Sequence, residues 1–385
     1  MTSNLLLICF LASIGVFAYL TYHHYMVKMG LTGSSLCQIN STLNCDTAAL
    51  SKYAEILTIP IAVLGLSYSI VMLSFFGFAR LGWVEESETF KSITKTLTSL
   101  SALGSVVLLA ISITQLKTYC PFCIAGYILS FAIVFLTYSL YSESKFSLKP
   151  SSLIAEKGLV ISLLVIPVLS WFISGSIRDN YGLGEIEKII PEKIYHWQNG
   201  PSYSFDTQVG LVKGNMDAAA PTIVEFADFK CPHCKTASMT LKTFISGNPK
   251  VKMIYKPYPL DGVCNPHISQ KGDGSRCELA GIALCSEKLF QKGWDVHYWI
   301  FDKQESLFQV SDLTDTVREI ASEFSLDVDK LKQCATSAET YAEIAKSANE
   351  GDMAKITGTP TIFVNGKKLE YGQFIDVLRA AINSL

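Results

Sequence analysis

Residues 222–235 read Thr-Ile-Val-Glu-Phe-Ala-Asp-Phe-Lys-Cys-Pro-His-Cys-Lys. A short β-rich run, 222–226, ends at Ala227-Asp228-Phe229-Lys230, and Cys231-Pro232-His233-Cys234 then opens an apparent helix over 235–245. That order sets the first sulfur at a helix N-terminus, where unpaired backbone N–H groups and the neighbouring His233 favour thiolate over thiol. Cys231 is expected to be the exposed nucleophile and Cys234 the buried resolving sulfur. A second strand is expected over 205–214. Farther along, Gly358-Thr359-Pro360-Thr361 leads into a strand and turn, 362–366.

The rest of the chain has a different composition. Of its 385 residues, 49% are apolar and only 17% charged, against roughly 25% charged in an average soluble domain. The deficit is concentrated in residues 1–177. A bilayer span needs about 20 mostly apolar residues, and five stretches qualify: 5–27, 58–78, 97–116, 121–141 and 158–177, the last containing Pro167. No charged residue precedes the first and no small-x-small site follows it, so it reads as a retained helix rather than a signal peptide. Residues 178–204 read as a linker of mixed character. A net charge of −2 gives no reason to expect nucleic acid as a partner.

Eleven cysteines, several in close pairs, point first to disulfide chemistry in an oxidising compartment and second to metal binding. Cys37 and Cys45 follow the first span, Cys120 and Cys123 the third, Cys231 and Cys234 the fifth. Odd-numbered exits open on one face, which should be the oxidising one. Lysine and arginine give the same sidedness weakly: Arg80, Lys91, Lys95, Lys145, Lys149 and Lys157 on one side, Lys28, Lys52, Lys117 and Arg178 on the other.

Cys120-Pro-Phe-Cys123 sits where the fourth span begins, with Pro121 suited to a first helical turn. A redox pair at that depth can meet a lipid-soluble electron carrier, and a quinone is the obvious one; the alternative is a buried structural disulfide. Cys37 and Cys45 form either a mobile relay disulfide or a loop staple. Cys264, Cys277, Cys285 and Cys334 allow three pairings; Cys264–Cys277 and Cys285–Cys334 are favoured, as stabilising bridges. Cys9 reads as inert. His23, His24, His196, His267 and His297 show no metal-ligand spacing, so no metal is expected.

Cys37-x7-Cys45-Asp46, then Ile59-Pro60 with Gly65, then Cys120-Pro-Phe-Cys123 with Tyr127, resembles the vitamin K epoxide reductase family over about residues 1–141. The resemblance implies a four-helix bundle around a quinone, with Cys120 and Cys123 as the active pair and Cys37 and Cys45 as the relay. Cys123 would face the quinone and Tyr127 would lie near its ring. Ser67, Tyr68 and Ser69 are candidates by region for a second polar contact.

Residues 205–385 resemble the DsbA-like branch of the thioredoxin fold. Cys-Pro-His-Cys, Glu225 six residues before Cys231, the Thr359-Pro360 loop and the roughly 120 residues between helix and loop carry that likeness. It implies a buried acid, Glu225, that handles the proton of Cys234, a cis-proline loop that presents backbone to a substrate chain, and an inserted helical subdomain. A Pro-His centre leans toward donating disulfides. Thr359 instead resembles isomerase and reductase relatives.

The expected architecture is multi-domain: a transmembrane bundle of four helices (1–141), a loop, fifth helix and linker (142–204), and an α/β thioredoxin-like domain with a helical insertion (205–385). The expected function is a quinone-dependent thiol–disulfide oxidoreductase of a bacterial inner membrane, using ubiquinone or menaquinone. It would act on reduced secreted or periplasmic proteins, with the soluble domain on the periplasmic side. Rival readings are an isomerase or reductase serving one dedicated substrate, and a CxxC metal-handling membrane protein.

Overall fold

The computed structural model describes residues 2–29, 43, 45–116, 119–145, 147 and 157–385. They fall into two compact units, one ending at Gly184 and the other running from Glu185 to Leu385.

The first unit opens with α1 (Thr2–Lys28). A short α2 (Cys45–Ala49) and the two-residue strands β1 (Glu55–Ile56) and β2 (Ile59–Pro60) precede α3 (Ile61–Arg80). Then come α4 (Glu88–Ile111), continued by a π-helical turn at Ser112–Leu116, α5 (Pro121–Leu140) and α6 (Lys157–Asn180). Five of these helices are long and apolar enough to cross a bilayer. The third begins at Glu88, earlier than the expected residue 97. Ser87 caps it, its hydroxyl accepting from Phe90 N at 3.1 Å, and Glu88 favours the positive helix end. The polar residues that hid this start are satisfied within the helix, Thr94 and Thr98 donating to the carbonyls of Phe90 and Thr94. Helix α1 packs on α3 and α5, α4 on α5, and α6 on α3. Leu6, Phe10, Met72, Phe75, Phe90 and Ile133 form the core between them. Gly65 permits the approach of α3 to α1, since a Cβ there would come within 2.5 Å of the Phe17 ring.

The second unit begins in α7 (Leu183–Asn199), where the sequence reads as a linker. Pro191 lies inside this helix. The indole of Trp197 anchors its last turn, buried and donating Nε1–H to the Val364 carbonyl at 3.1 Å. A five-stranded sheet follows in the order β3 (Leu211–Gly214), β5 (Lys252–Pro257), β4 (Thr222–Ala227), β6 (Thr361–Val364), β7 (Lys367–Lys368), with β4 and β5 parallel and the other pairs antiparallel. The strand expected over 205–214 is only its last four residues. Phe205 turns inward to pack edge-on against Phe226 and Phe363, and the Asp206 carboxylate accepts from Gln208 N at 2.9 Å in a turn.

One sheet face is covered by Ala348, Ala354 and Ile356 packed on Val224, Phe226, Ile254 and Phe363. Helix α8 (Pro232–Gly247), which Cys231 precedes, follows β4. The insertion is helical: α9 (Ser275–Phe290), α10 (Gly293–Asp302), α11 (Gln304–Leu307), α12 (Thr314–Phe324), α13 (Val328–Ala335) and α14 (Ala338–Met353), before α15 (Ile375–Asn383) closes the chain. Disulfides join Cys264 to Cys277 and Cys285 to Cys334, the latter tying α9 to α13. Those helices meet at Gly281, where any Cβ would overlap the Ala335 carbonyl oxygen.

Candidate active site

In the first unit, Cys120 is the N-cap of α5. Its sulfur accepts from Cys123 N at 3.1 Å, and Pro121 occupies the first turn. Cys120 and Cys123 are disulfide-bonded. An isolated parallel bridge pairs Leu43 with Tyr119 and brings the start of α2 beside this turn. The Cys45 sulfur consequently lies 3.0 Å from the Cys120 sulfur, both buried, with Leu20, Ala48 and Phe122 around them. Cys37 lies outside the described residues.

These sulfurs form part of the wall of a cavity of about 480 Å³ that also touches Cys123, Tyr127, Tyr68 and Ser101. The rest of its lining is mostly apolar, and Gly65 and Gly126 leave room between helices. Tyr68 Oη is sequestered in this wall beside Ser101. Ser69 is committed to the Gly65 carbonyl at 2.8 Å, and Ser67 is not part of the lining. Beside the cavity, His23 Nε2 lies 2.9 Å from Asp46 Oδ1, fixing α2 against α1. His24, itself in the lining, is 2.9 Å from Glu55 Oε1, and Lys28 Nζ is 2.6 Å from the same oxygen. Burial opposes ionisation of Glu55, yet hydrogen bonds and charge from His24 and Lys28 pull its carboxyl down to about 2. No local spacing marks these histidines, because their partners, Asp46 and Glu55, are remote in sequence.

In the second unit, Cys231 is the N-cap of α8 and Cys234 follows in its first turn, both as free thiols; Cys231, expected to be exposed, is itself buried at 8% exposure, with the Thr359 carbonyl against its sulfur. The Cys231 thiol donates to the Thr359 carbonyl at 3.3 Å, and the Thr359–Pro360 peptide is cis. Cys231 has its pKa lowered to about 6. A hydrogen bond from Cys234 is the main cause; partial burial opposes it, and Thr359 and the backbone N–H groups of Cys234 and His233 assist. His233 helps through its backbone, because its side chain is exposed. Burial first, then the neighbouring Cys231, push the Cys234 thiol well up. Glu225, on β4, is wholly buried, with neither carboxylate oxygen partnered. Burial and then the Cys231 charge raise it to about 8.

Residues missed from the sequence hold this loop in place. Asp228 accepts from Lys230 N at 2.6 Å, Leu260 N at 2.6 Å and Arg276 Nη1 at 2.7 Å. Gln304 donates to the carbonyls of Phe229 and Cys231 at 2.7 and 2.9 Å. Asp228 adjoins the motif and was open to notice. Gln304 and Arg276 come from the insertion, and no local pattern marks them.

Residues 5–138 match the family model described as the vitamin K epoxide reductase family, and residues 222–383 match that of the DSBA-like thioredoxin domain. Among curated relatives, a protein named Na(+)/H(+) antiporter NhaA 3 from Salinispora tropica is 24% identical over 261 residues, 68% of this chain but 36% of its own length. This chain thus spans about a third of that relative. A probable disulfide bond formation protein D from Bacillus anthracis is 26% identical over 57% of this chain and 91% of its own. The solved structure of oxidised BdbD from Bacillus subtilis is 23% identical, covering 48% of this chain and 97% of its own, with a TM-score of 0.41.

Proposed function

We propose that this chain, a vitamin K epoxide reductase family domain joined to a DsbA-like thioredoxin domain, is a membrane thiol–disulfide oxidoreductase that makes disulfides in exported proteins and passes the electrons to a quinone. The observation that carries this reading is the Cys45 sulfur 3.0 Å from the Cys120 sulfur in the wall of a cavity that also reaches Cys123 and Tyr127.

The residues present fit a quinone. The cavity wall is largely apolar, two sulfurs of a CxxC pair line it, and Tyr68 Oη, buried beside Ser101, is a donor suited to a ring carbonyl. Tyr68 and Tyr127 would hold the ring beside Cys123. A bound quinone supplies a two-electron, two-proton sink.

The chain's own sulfurs perform the rest. The Cys231–Cys234 disulfide accepts two electrons from a dithiol in a reduced secreted or periplasmic protein. Cys37–Cys45 reoxidises that pair and is itself reoxidised by Cys120–Cys123, each transfer being thiolate attack on a disulfide through a mixed intermediate. The low pKa of Cys231, about 6, supports the donating direction, since a stable thiolate leaves readily. The reading implies a multi-pass protein of a bacterial cytoplasmic membrane with the thioredoxin-like domain outside. Thr359 supports a second reading, an isomerase or reductase for a dedicated substrate, and the reduction potential of the Cys231 pair separates the two.

The test is reconstitution with ubiquinone or menaquinone and a reduced unfolded protein, following quinone reduction. Coupled loss of thiols and quinone is expected. A Cys231→Ser chain that still oxidised large substrates at full rate would end the relay.

A further inference from the structure

Cys234 is wholly enclosed, so a proton leaving its sulfur has no direct contact with solvent. Beneath it, on the sheet face that carries Glu225, sits a set of buried polar atoms without partners: both Glu225 carboxylate oxygens, Tyr255 Oη, His297 Nδ1 and Tyr298 Oη. They belong to neighbouring residues. Glu225 and Tyr255 are register partners across the parallel strands β4 and β5. The Tyr255 ring is 4.6 Å from the His297 ring, which is 5.2 Å from that of Tyr298. At the far end, Lys242 Nζ and Lys213 Nζ stand 4.5 and 5.0 Å from the Tyr298 ring centre. On the helix side His297 Nε2 is held 3.1 Å from Ser238 Oγ, and Phe229, Trp294 and Phe301 wall the group in.

Native interiors leave few polar atoms unmatched. A contiguous run of them is the setting in which buried water bridges side chains. We infer that Glu225, Tyr255, His297 and Tyr298, linked by such water, form a proton path between Cys234 and solvent at the Lys213–Lys242 end.

The step balances. Cys231 has opened a partner disulfide to give a mixed disulfide. Cys234 yields its proton to Glu225, and its sulfur attacks Cys231 Sγ. The Cys231–Cys234 bond forms as the bond to the partner breaks, and the partner sulfur leaves as thiolate. The proton then moves from Glu225 along the tyrosines. Burial, then Lys213 and Lys242, hold the His297 pKa down at about 3, so His297 serves as a neutral ring that both donates and accepts. The other charged groups acting on the path are Asp228, Cys231 and Asp295.

This rests on the thiol chemistry of the Cys231 pair but not on the quinone relay. The test uses the full chain in detergent with Cys9, Cys37, Cys45, Cys120 and Cys123 changed to serine. One equivalent of an aromatic disulfide reagent with a coloured thiolate is added to the reduced protein. Its first thiolate leaves when Cys231 attacks, its second when Cys234 does. Tyr298→Phe and Tyr255→Phe are each expected to leave the first release unchanged and slow the second about tenfold, with partial rescue by added imidazole. A second release within twofold of the parent in both variants overturns the path. So does equal slowing of both releases without imidazole rescue. Should Tyr255→Phe not fold, Tyr298→Phe, whose ring is partly exposed, decides alone.

Discussion

The sulfur of Cys45 stands 3.0 Å from that of Cys120, which is bonded to Cys123. Removing Cys123 leaves Cys120 with Cys45 as the neighbouring sulfur. A Cys123→Ser chain is expected to accumulate a Cys45–Cys120 disulfide, seen by peptide mapping without reduction, and to lose quinone-coupled thiol oxidation. Recovery of Cys120 only as a free thiol would contradict the relay.

Cys231 sets a pH profile. Its folded pKa of about 6 is below the roughly 8.5 of a free thiol. The stabilisation this gives the reduced form is therefore complete above the unfolded value and disappears as pH falls through the folded one. Alkylation of Cys231 should titrate with a midpoint near 6. The stability of the reduced form relative to the disulfide form should decline in step on acidification.

Glu225 works in the opposite sense. Its carboxyl, raised to about 8, binds a proton in the folded state where the unfolded chain, titrating near 4.3, does not. Stability is full below the unfolded value and is lost as pH rises through the folded one. Glu225→Gln should be more stable than the parent above pH 8, by something on the order of 5 kcal/mol. Its Cys234 step should nevertheless be slower. Denaturant melts at pH 5 and pH 9 and a thiol-exchange rate check both halves.

Cavity contacts give a kinetic prediction. Tyr68→Phe removes the buried hydroxyl without altering the apolar wall. The KM for quinone should rise about tenfold, as expected for a lost hydrogen bond of roughly 1–1.5 kcal/mol, while exchange at Cys231 is unaffected. An unchanged KM would remove Tyr68 from the site.

The α9–α13 junction should be sensitive twice over. Cutting the Cys285–Cys334 bridge by paired alanine substitution should cost about 2–4 kcal/mol. Gly281→Ala should lower the melting temperature further, because a fixed carbonyl, rather than a yielding side chain, blocks the new methyl.

Both CxxC pairs and the helix starts they cap were legible because those features are local: CxxC, a proline in the first turn and an apolar or β-rich run declare themselves within a dozen residues. Glu225 was legible for a different reason, its fixed distance from Cys231. The early start of α4 was hidden because Thr94 and Thr98 count as polar until their hydroxyls are seen bonded within the helix. Helix α7 was hidden by Pro191, and the anchor that orders it, Trp197 to Val364, spans the whole domain. The same holds for His24 with Glu55, and for Tyr255, which meets the neighbours His297 and Tyr298 only after the sheet and insertion assemble.

The insertion supplies Arg276 and Gln304 to the loop before Cys231. A miniature cut down to the sheet and α8 would retain both sulfurs yet lose this bracing. Changes made far away in the insertion would therefore be felt at the Cys231 loop, and its geometry survives such redesign only if those two braces stay.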